Sequence, residues 1–217
     1  MRGQAGDLAN IAAKKQRIME VGFQLFSQRG IESVSMKTVA EHSEVPWTSM
    51  YRYFATKLDL VIAVGAWKWD EYIAAYNIAF HQEETACMNA AEHLKWFLDA
   101  FLDLYRNHRD ILRFNYGFNS YLRNEQATAE QKQSYLRRVD SLHAAFHQLY
   151  EKGMADGTLN RSIAEEEMFS SSFHIMLAAV TRYATGLMYL PPGPETDPER
   201  ELERLEAMML REFTVSP

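Results

Sequence analysis

A chain of 217 residues with 47% hydrophobic, 12% aromatic and 24% charged side chains has ordinary globular composition, which excludes disordered, collagenous and disulfide-rich classes. Its longest apolar stretch, about Ile175 to Val180, is far too short to span a bilayer, and Met1 to Asp7 lacks a secretory hydrophobic core, so a soluble cytoplasmic protein with no membrane partner is expected. The single cysteine, Cys87, excludes an internal disulfide and a cysteine-based zinc site, and reads as a packed residue.

The net charge of −6 by itself argues against a nucleic-acid partner, because DNA binding leans on phosphate neutralisation. Its distribution argues the other way. Residues 1–60 hold eight basic side chains (Arg2, Lys14, Lys15, Arg17, Arg29, Lys37, Arg52, Lys57) against six acidic ones, a net of +2, and the rest holds 15 against 23, a net of −8. Such asymmetry marks a nucleic-acid-facing piece joined to one that faces other things.

The pattern is helical throughout. After a loose start, Ile18, Val21, Gly22, Leu25 and Phe26 repeat at helical spacing and stop at Gly30. Ser35 reads as the N-cap of a short second helix ending near Ser43. Pro46 opens a third, with Met50, Tyr51 and Phe54 as its buried stripe, and Thr56 caps the next. From Lys57 a long helix continues to about Phe80 and connects two domains; further helices are expected over 87–106, 109–122, 128–153, 162–190 and 196–213. The breaks are placed at Gly153 to Gly157 and at Pro191, Pro192, Gly193 and Pro194, and no convincing strand or repeat is found.

Two short helices joined by a turn and docked on a third form the helix-turn-helix plan, whose second helix enters the major groove. Val39, Ala40, Val45, Met50 and Phe54 can build a small core with Ile18, Leu25 and Phe26. Lys37, Trp47, Thr48, Ser49, Arg52 and Tyr53 are then left outside to meet double-stranded DNA, with hydroxyls and amides suited to phosphate oxygens.

The segments "GFQLFSQRGIESVSMKTVAEHSEVP" and "SMYRYFATKLDL" resemble the N-terminal domain of the TetR family of transcriptional regulators, through the closing Tyr-x-x-Phe-x-x-Lys. The resemblance covers Lys14 to Leu60. It implies that Lys37, Trp47 and Thr48 contact bases or backbone, that Ser49, Tyr51, Tyr53 and Lys57 mainly contact phosphates, and that Arg52 adds a further contact. Two residues depart from the family pattern. Glu44 stands where glycine is usual in the turn, implying either a left-handed non-glycine residue or a different turn, and Trp47 is large where a polar base reader is common. Base readout at Trp47 is then expected through a thymine methyl or through packing against sugars.

The resemblance further implies an all-α fold: an N-terminal three-helix helix-turn-helix DNA-binding domain (1–60), joined by a long helix to a larger six-helix effector-binding and dimerisation domain (61–217). The last two helices are expected to pair in a two-fold homodimer that matches a palindromic operator. In the larger domain, rings at helical spacing are core or pocket, and an effector site is expected among Trp67, Phe97, Phe101, Tyr105, Phe118, Phe146, Phe173 and His174. His143 and His147 lie one helical turn apart with Asp140 a turn earlier, which is ligand spacing for zinc, but no third ligand is assignable and no metal or cofactor is expected. No nucleophile elbow, metalloprotease motif or phosphate-cradling glycine loop is present, so no enzymatic activity is expected. The function expected is a repressor released from its operator by a small hydrophobic or aromatic effector; a DNA-binding dimer without an effector is the rival.

Overall fold

The computed structural model describes residues 2–76, 87–187, 193 and 196–215, and every regular element among them is a helix. In chain order these are α1 (Arg2–Arg29), α2 (Met36–His42), α3 (Trp47–Tyr53), α4 (Lys57–Tyr76), α5 (Ala90–Asn107), α6 (Arg109–Asn124), α7 (Ala129–Asp156), α8 (Glu165–Ala184) and α9 (Pro198–Phe213). The fold is all-α, as expected. The continuation of α4 to Phe80, residues 188–190 and the prolines Pro191, Pro192 and Pro194 lie outside the described residues. Among the described residues no helix is long and apolar enough to cross a membrane.

Local chemistry sets the helix starts. Ser35 Oγ accepts the Thr38 amide at 3.0 Å at the head of α2. Thr56 and Asp59 cap α4 reciprocally, each side chain accepting the other's backbone N–H at 3.1 and 3.0 Å. The same reciprocal device opens α5 with Asn89 and Glu92 and α7 with Thr128 and Gln131, and Asp197 followed by Pro198 opens α9.

Four expectations are corrected. The chain before Ile18 is helical from Arg2, where Ala5, Ala9, Ala12, Ala13 and Lys14 to Gln16 are strong helix formers. Gly153 does not break α7. The helix runs through it to Asp156 and ends at Gly157, whose φ of 75° is the left-handed stop. Helix α8 ends at Ala184 because Gly186, at φ 74°, turns the chain and lets the Leu187 amide reach the Arg182 carbonyl at 3.2 Å. Cys87 is exposed, in the turn before the Asn89 cap.

The chain packs as two compact units, Met1–Trp69 with Arg113–Leu136, and Asp70–Leu112 with Arg137–Pro217. In the first, a run of rings forms the core: Phe23 to Phe114 at 5.7 Å, Phe114 to Phe118 at 5.5 Å and Phe118 to Tyr135 at 4.9 Å between centroids. Gly65 on α4 is needed there, since a Cβ would stand 2.8 Å from the Phe118 ring. In the second unit α5, α8 and α9 pack on one another, burying Leu94, Leu98, Met168, Met176, Val180 and Leu202. The only β-type pairing among the described residues is an isolated bridge between Leu159 and Thr214.

Candidate nucleic-acid interface

The turn between α2 and α3 follows from the sequence. Ala40, Val45, Met50 and Phe54 are buried with Ile18, Val39, Leu25 and Phe26, so the two helices must approach closely and the chain must reverse within a few residues. It does so by a left-handed helix end: the Val45 amide reaches back to the Ala40 carbonyl at 3.1 Å and the Glu44 amide to the Glu41 carbonyl at 3.4 Å. Glu44 takes the left-handed position, at φ 59°. Of the two outcomes the family resemblance implied, the structure has the left-handed non-glycine residue. Ser43 Oγ satisfies itself on the Ala40 carbonyl at 3.1 Å, which lets a hydroxyl be buried there.

With Met50 and Phe54 turned inward, α3 leaves Trp47, Thr48, Tyr51 and Arg52 exposed and Ser49 and Tyr53 half-buried. Pro46 precedes the helix as its cap residue, with Trp47 first in it. Tyr51, expected in the buried stripe, is outside: only Met50 of α3 itself is buried, and a seven-residue helix has one inward face. The Trp47 and Tyr51 rings meet edge to face at 4.9 Å, and the Arg52 guanidinium lies 6.0 Å from the Tyr53 ring centroid. Lys37, exposed on α2, has Nζ 3.9 Å from Glu41 Oε1, a surface contact of small energetic weight.

Lys57 is placed differently from the other cations. Its Nζ donates to the Glu32 carbonyl at 3.3 Å and lies 5.1 Å from the centroid of the Tyr121 ring. Burial lowers its pKa, an effect opposed by the charges of Glu32 and Glu125. Nothing in the sequence signals these partners, which come from the α1 to α2 connection and from α6. Lys15, not singled out by the sequence, has Nζ 5.3 Å from the Phe54 ring at the end of α3.

The residues expected to line an effector site fall into both compact units. Trp67 and Phe118 belong to the first, where Trp67 meets Phe23 at 6.4 Å. Phe97, Phe101, Tyr105, Phe146, Phe173 and His174 belong to the second. Within it Phe97 touches Phe101 at 5.7 Å and Phe146 at 5.4 Å, and Phe101 touches Phe173 at 5.8 Å. Tyr105 faces Tyr183 at 6.3 Å and the Arg109 guanidinium at 4.3 Å. His174 is exposed, with Nδ1 3.1 Å from Ser170 Oγ. His143 and His147 face the start of α8, with Nε2 of His143 3.1 Å from Glu166 and Nδ1 of His147 2.9 Å from Glu165. Among the described residues no three His, Cys, Asp or Glu side chains converge as a metal site would need.

Residues 18–64 match the family model described as bacterial regulatory proteins, tetR family. The chain is 28% identical over 121 residues to an HTH-type transcriptional regulator of Staphylococcus aureus (strain MRSA252), covering 56% of this chain and 63% of that protein. It is 37% identical over 62 residues to the HTH-type transcriptional repressor KstR of Rhodococcus jostii (strain RHA1), covering 28% and 29%. Both matches therefore span less than two thirds of the relative's length. In structure the chain is similar to FadR of Bacillus subtilis in complex with stearoyl-CoA, with a TM-score of 0.67 at 14% identity over 91% of this chain and 98% of that one; at that identity the likeness establishes the fold. The matching residues 18–64, folded as a helix-turn-helix around Glu44, are thus similar to the DNA-binding head of the tetR-family regulatory proteins, and the chain shares an all-helical fold with the FadR structure.

Proposed function

We propose that this protein is a homodimeric repressor that binds a palindromic operator through α3 and is released when a small apolar or aromatic effector binds its second unit. The observation that carries the reading is the outward face of α3, where Trp47, Thr48, Tyr51 and Arg52 are exposed beside Lys37 while Met50 and Phe54 hold the helix down. The exposed groups take no part in that packing and suit a groove. Ser49, Tyr53 and Lys57 are assigned to phosphates in this reading.

Dimerisation is assigned to α8 and α9. Ile175 on α8 is 46% exposed and Met208 on α9 is 53% exposed, with the small residues Ala178 and Ala207 also outward on these helices. Exposed apolar side chains on two packed neighbouring helices favour a second copy of the same face. The effector is assigned to the ring cluster of Phe97, Phe101, Phe146 and Phe173, an apolar lining suited to an acyl or flat ligand; the FadR protein named above holds an acyl thioester. Helix α4 carries residues of both compact units and is the covalent path along which the effector would alter the separation of the recognition helices, set by half-sites about 34 Å apart.

The test combines selection from a random duplex pool by the full chain with light scattering of the bound complex. Two chains per enriched duplex are expected, and one chain per duplex overturns the dimer. A thermal-shift screen of acyl and aromatic compounds then supplies candidates, and an effector must both raise Tm and lower DNA affinity. Stabilising compounds that leave DNA affinity unchanged would point to a DNA-binding dimer without an effector.

A further inference from the structure

The chemistry of α3 limits what it can read. Side chains that read purine edges by paired hydrogen bonds are Arg and Lys for guanine, and Asn and Gln for adenine. Of these, α3 has only Arg52, in its last turn and close to the Tyr53 ring. The outward groups of its first turn are instead Trp47 and Thr48, and Tyr51 follows one helical turn after Trp47 on the same side. Trp47 is 39% exposed and Tyr51 52% exposed, and their edge-to-face contact at 4.9 Å makes them one aromatic wedge with few open rotamers. The sole apolar group that base pairs show in the major groove is the 5-methyl of a pyrimidine.

We infer that Trp47, braced by Tyr51, reads pyrimidine 5-methyl groups, so that each operator half-site carries a methyl-bearing base under Trp47. This rests on the DNA-binding reading above and names what that site recognises. Thymine and 5-methylcytosine both supply the group.

The test runs selection with the full chain in parallel from an unmodified duplex pool and from one whose cytosines are 5-methylated. Enrichment from the unmodified pool leaves thymine as the only methyl source to be tested, and enrichment from the methylated pool alone points to 5-methylcytosine. In the enriched site each methyl is then removed singly, using deoxyuridine for thymine or cytosine for 5-methylcytosine, and affinity is measured by fluorescence anisotropy at fixed salt. Removing the methyl under Trp47 should weaken wild-type binding about fourfold, the burial of one methyl group. The same removal should leave Trp47→Ala unaffected, while Trp47→Leu, which keeps an apolar contact, should still respond. Both variants lose the edge-to-face contact with Tyr51, so a modest fall in Tm is expected, and affinities are compared at a temperature where circular dichroism shows all three proteins folded. Affinity that survives every methyl removal, or a Trp47→Ala variant that still responds, overturns this inference and leaves DNA binding standing. Enrichment from neither pool overturns both.

Discussion

Lys57 Nζ, in the first turn of α4, donates to the backbone carbonyl of Glu32 at 3.3 Å while lying against the Tyr121 ring. The cation that opens the linking helix is thus fastened to the α1 to α2 connection and to α6 within one compact unit. Replacing it by methionine keeps the apolar stem and removes both contacts. Lys57→Met should leave stability in urea unfolding unchanged or slightly raised, because burial disfavours the ammonium more than Glu32 and Glu125 favour it. If Lys57 also meets a phosphate, the slope of log affinity against log salt should fall by about one. Loss of stability with an unchanged slope would make the residue purely structural.

Glu44 holds a left-handed backbone at φ 59° without the freedom of glycine. That conformation costs a residue with a Cβ about 1 kcal/mol. Glu44→Gly should therefore raise the unfolding free energy, by somewhat less than that because glycine also loosens the unfolded chain. Glu44→Val, branched at Cβ, should lower it. A glycine variant that unfolds at lower urea than wild type would show that the turn carries no such strain.

Gly153 illustrates the opposite constraint. A Cβ there would stand 2.2 Å from Leu159 Cγ, and Leu159 is fully buried. Gly153→Ala should destabilise by about 3 kcal/mol, since no flexible chain end is available to yield. Adding Leu159→Val should recover part of the loss, so that the double variant is more stable than the sum of its parts. At Gly157 a Cβ would meet nothing within 4 Å, so Gly157→Ala should lose only the left-handed strain, about 1 kcal/mol.

The hydrogen bond and charge of Glu165 raise the His147 pKa above its ordinary 6.5. A group whose pKa is raised by folding stabilises the fold fully below its unfolded value, and the stabilisation is lost as pH rises through the raised folded pKa. The Tm difference between wild type and His147→Gln should therefore be largest below pH 6.5 and disappear on the alkaline side. A difference that grows with pH would exclude this pairing in solution.

Periodicity and caps determined much of this protein, because they are local. Ile18, Leu25 and Phe26 at helical spacing, Ser35 before Met36 and Thr56 before Lys57 place the C-terminal part of α1, the start of α2 and the start of α4 where the structure has them, whereas they do not foresee the first half of α1. The family resemblance places Glu44 in a glycine position and leaves two kinds of turn open, of which the structure has the left-handed one, at φ 59°. What tertiary structure decided are relations between residues distant in the chain. Gly153 looks like a breaker by composition, yet it stays helical because Leu159 packs against its bare Cα. Tyr51 looks like part of an apolar stripe, yet it lies outside because Met50 takes the inward face. Lys57 looks like any helix-opening cation until Glu32 and Tyr121 are brought to it. The division is physical: hydrogen bonds and dihedrals within a turn are encoded by adjacent residues, whereas packing depends on which surfaces the folded chain brings together.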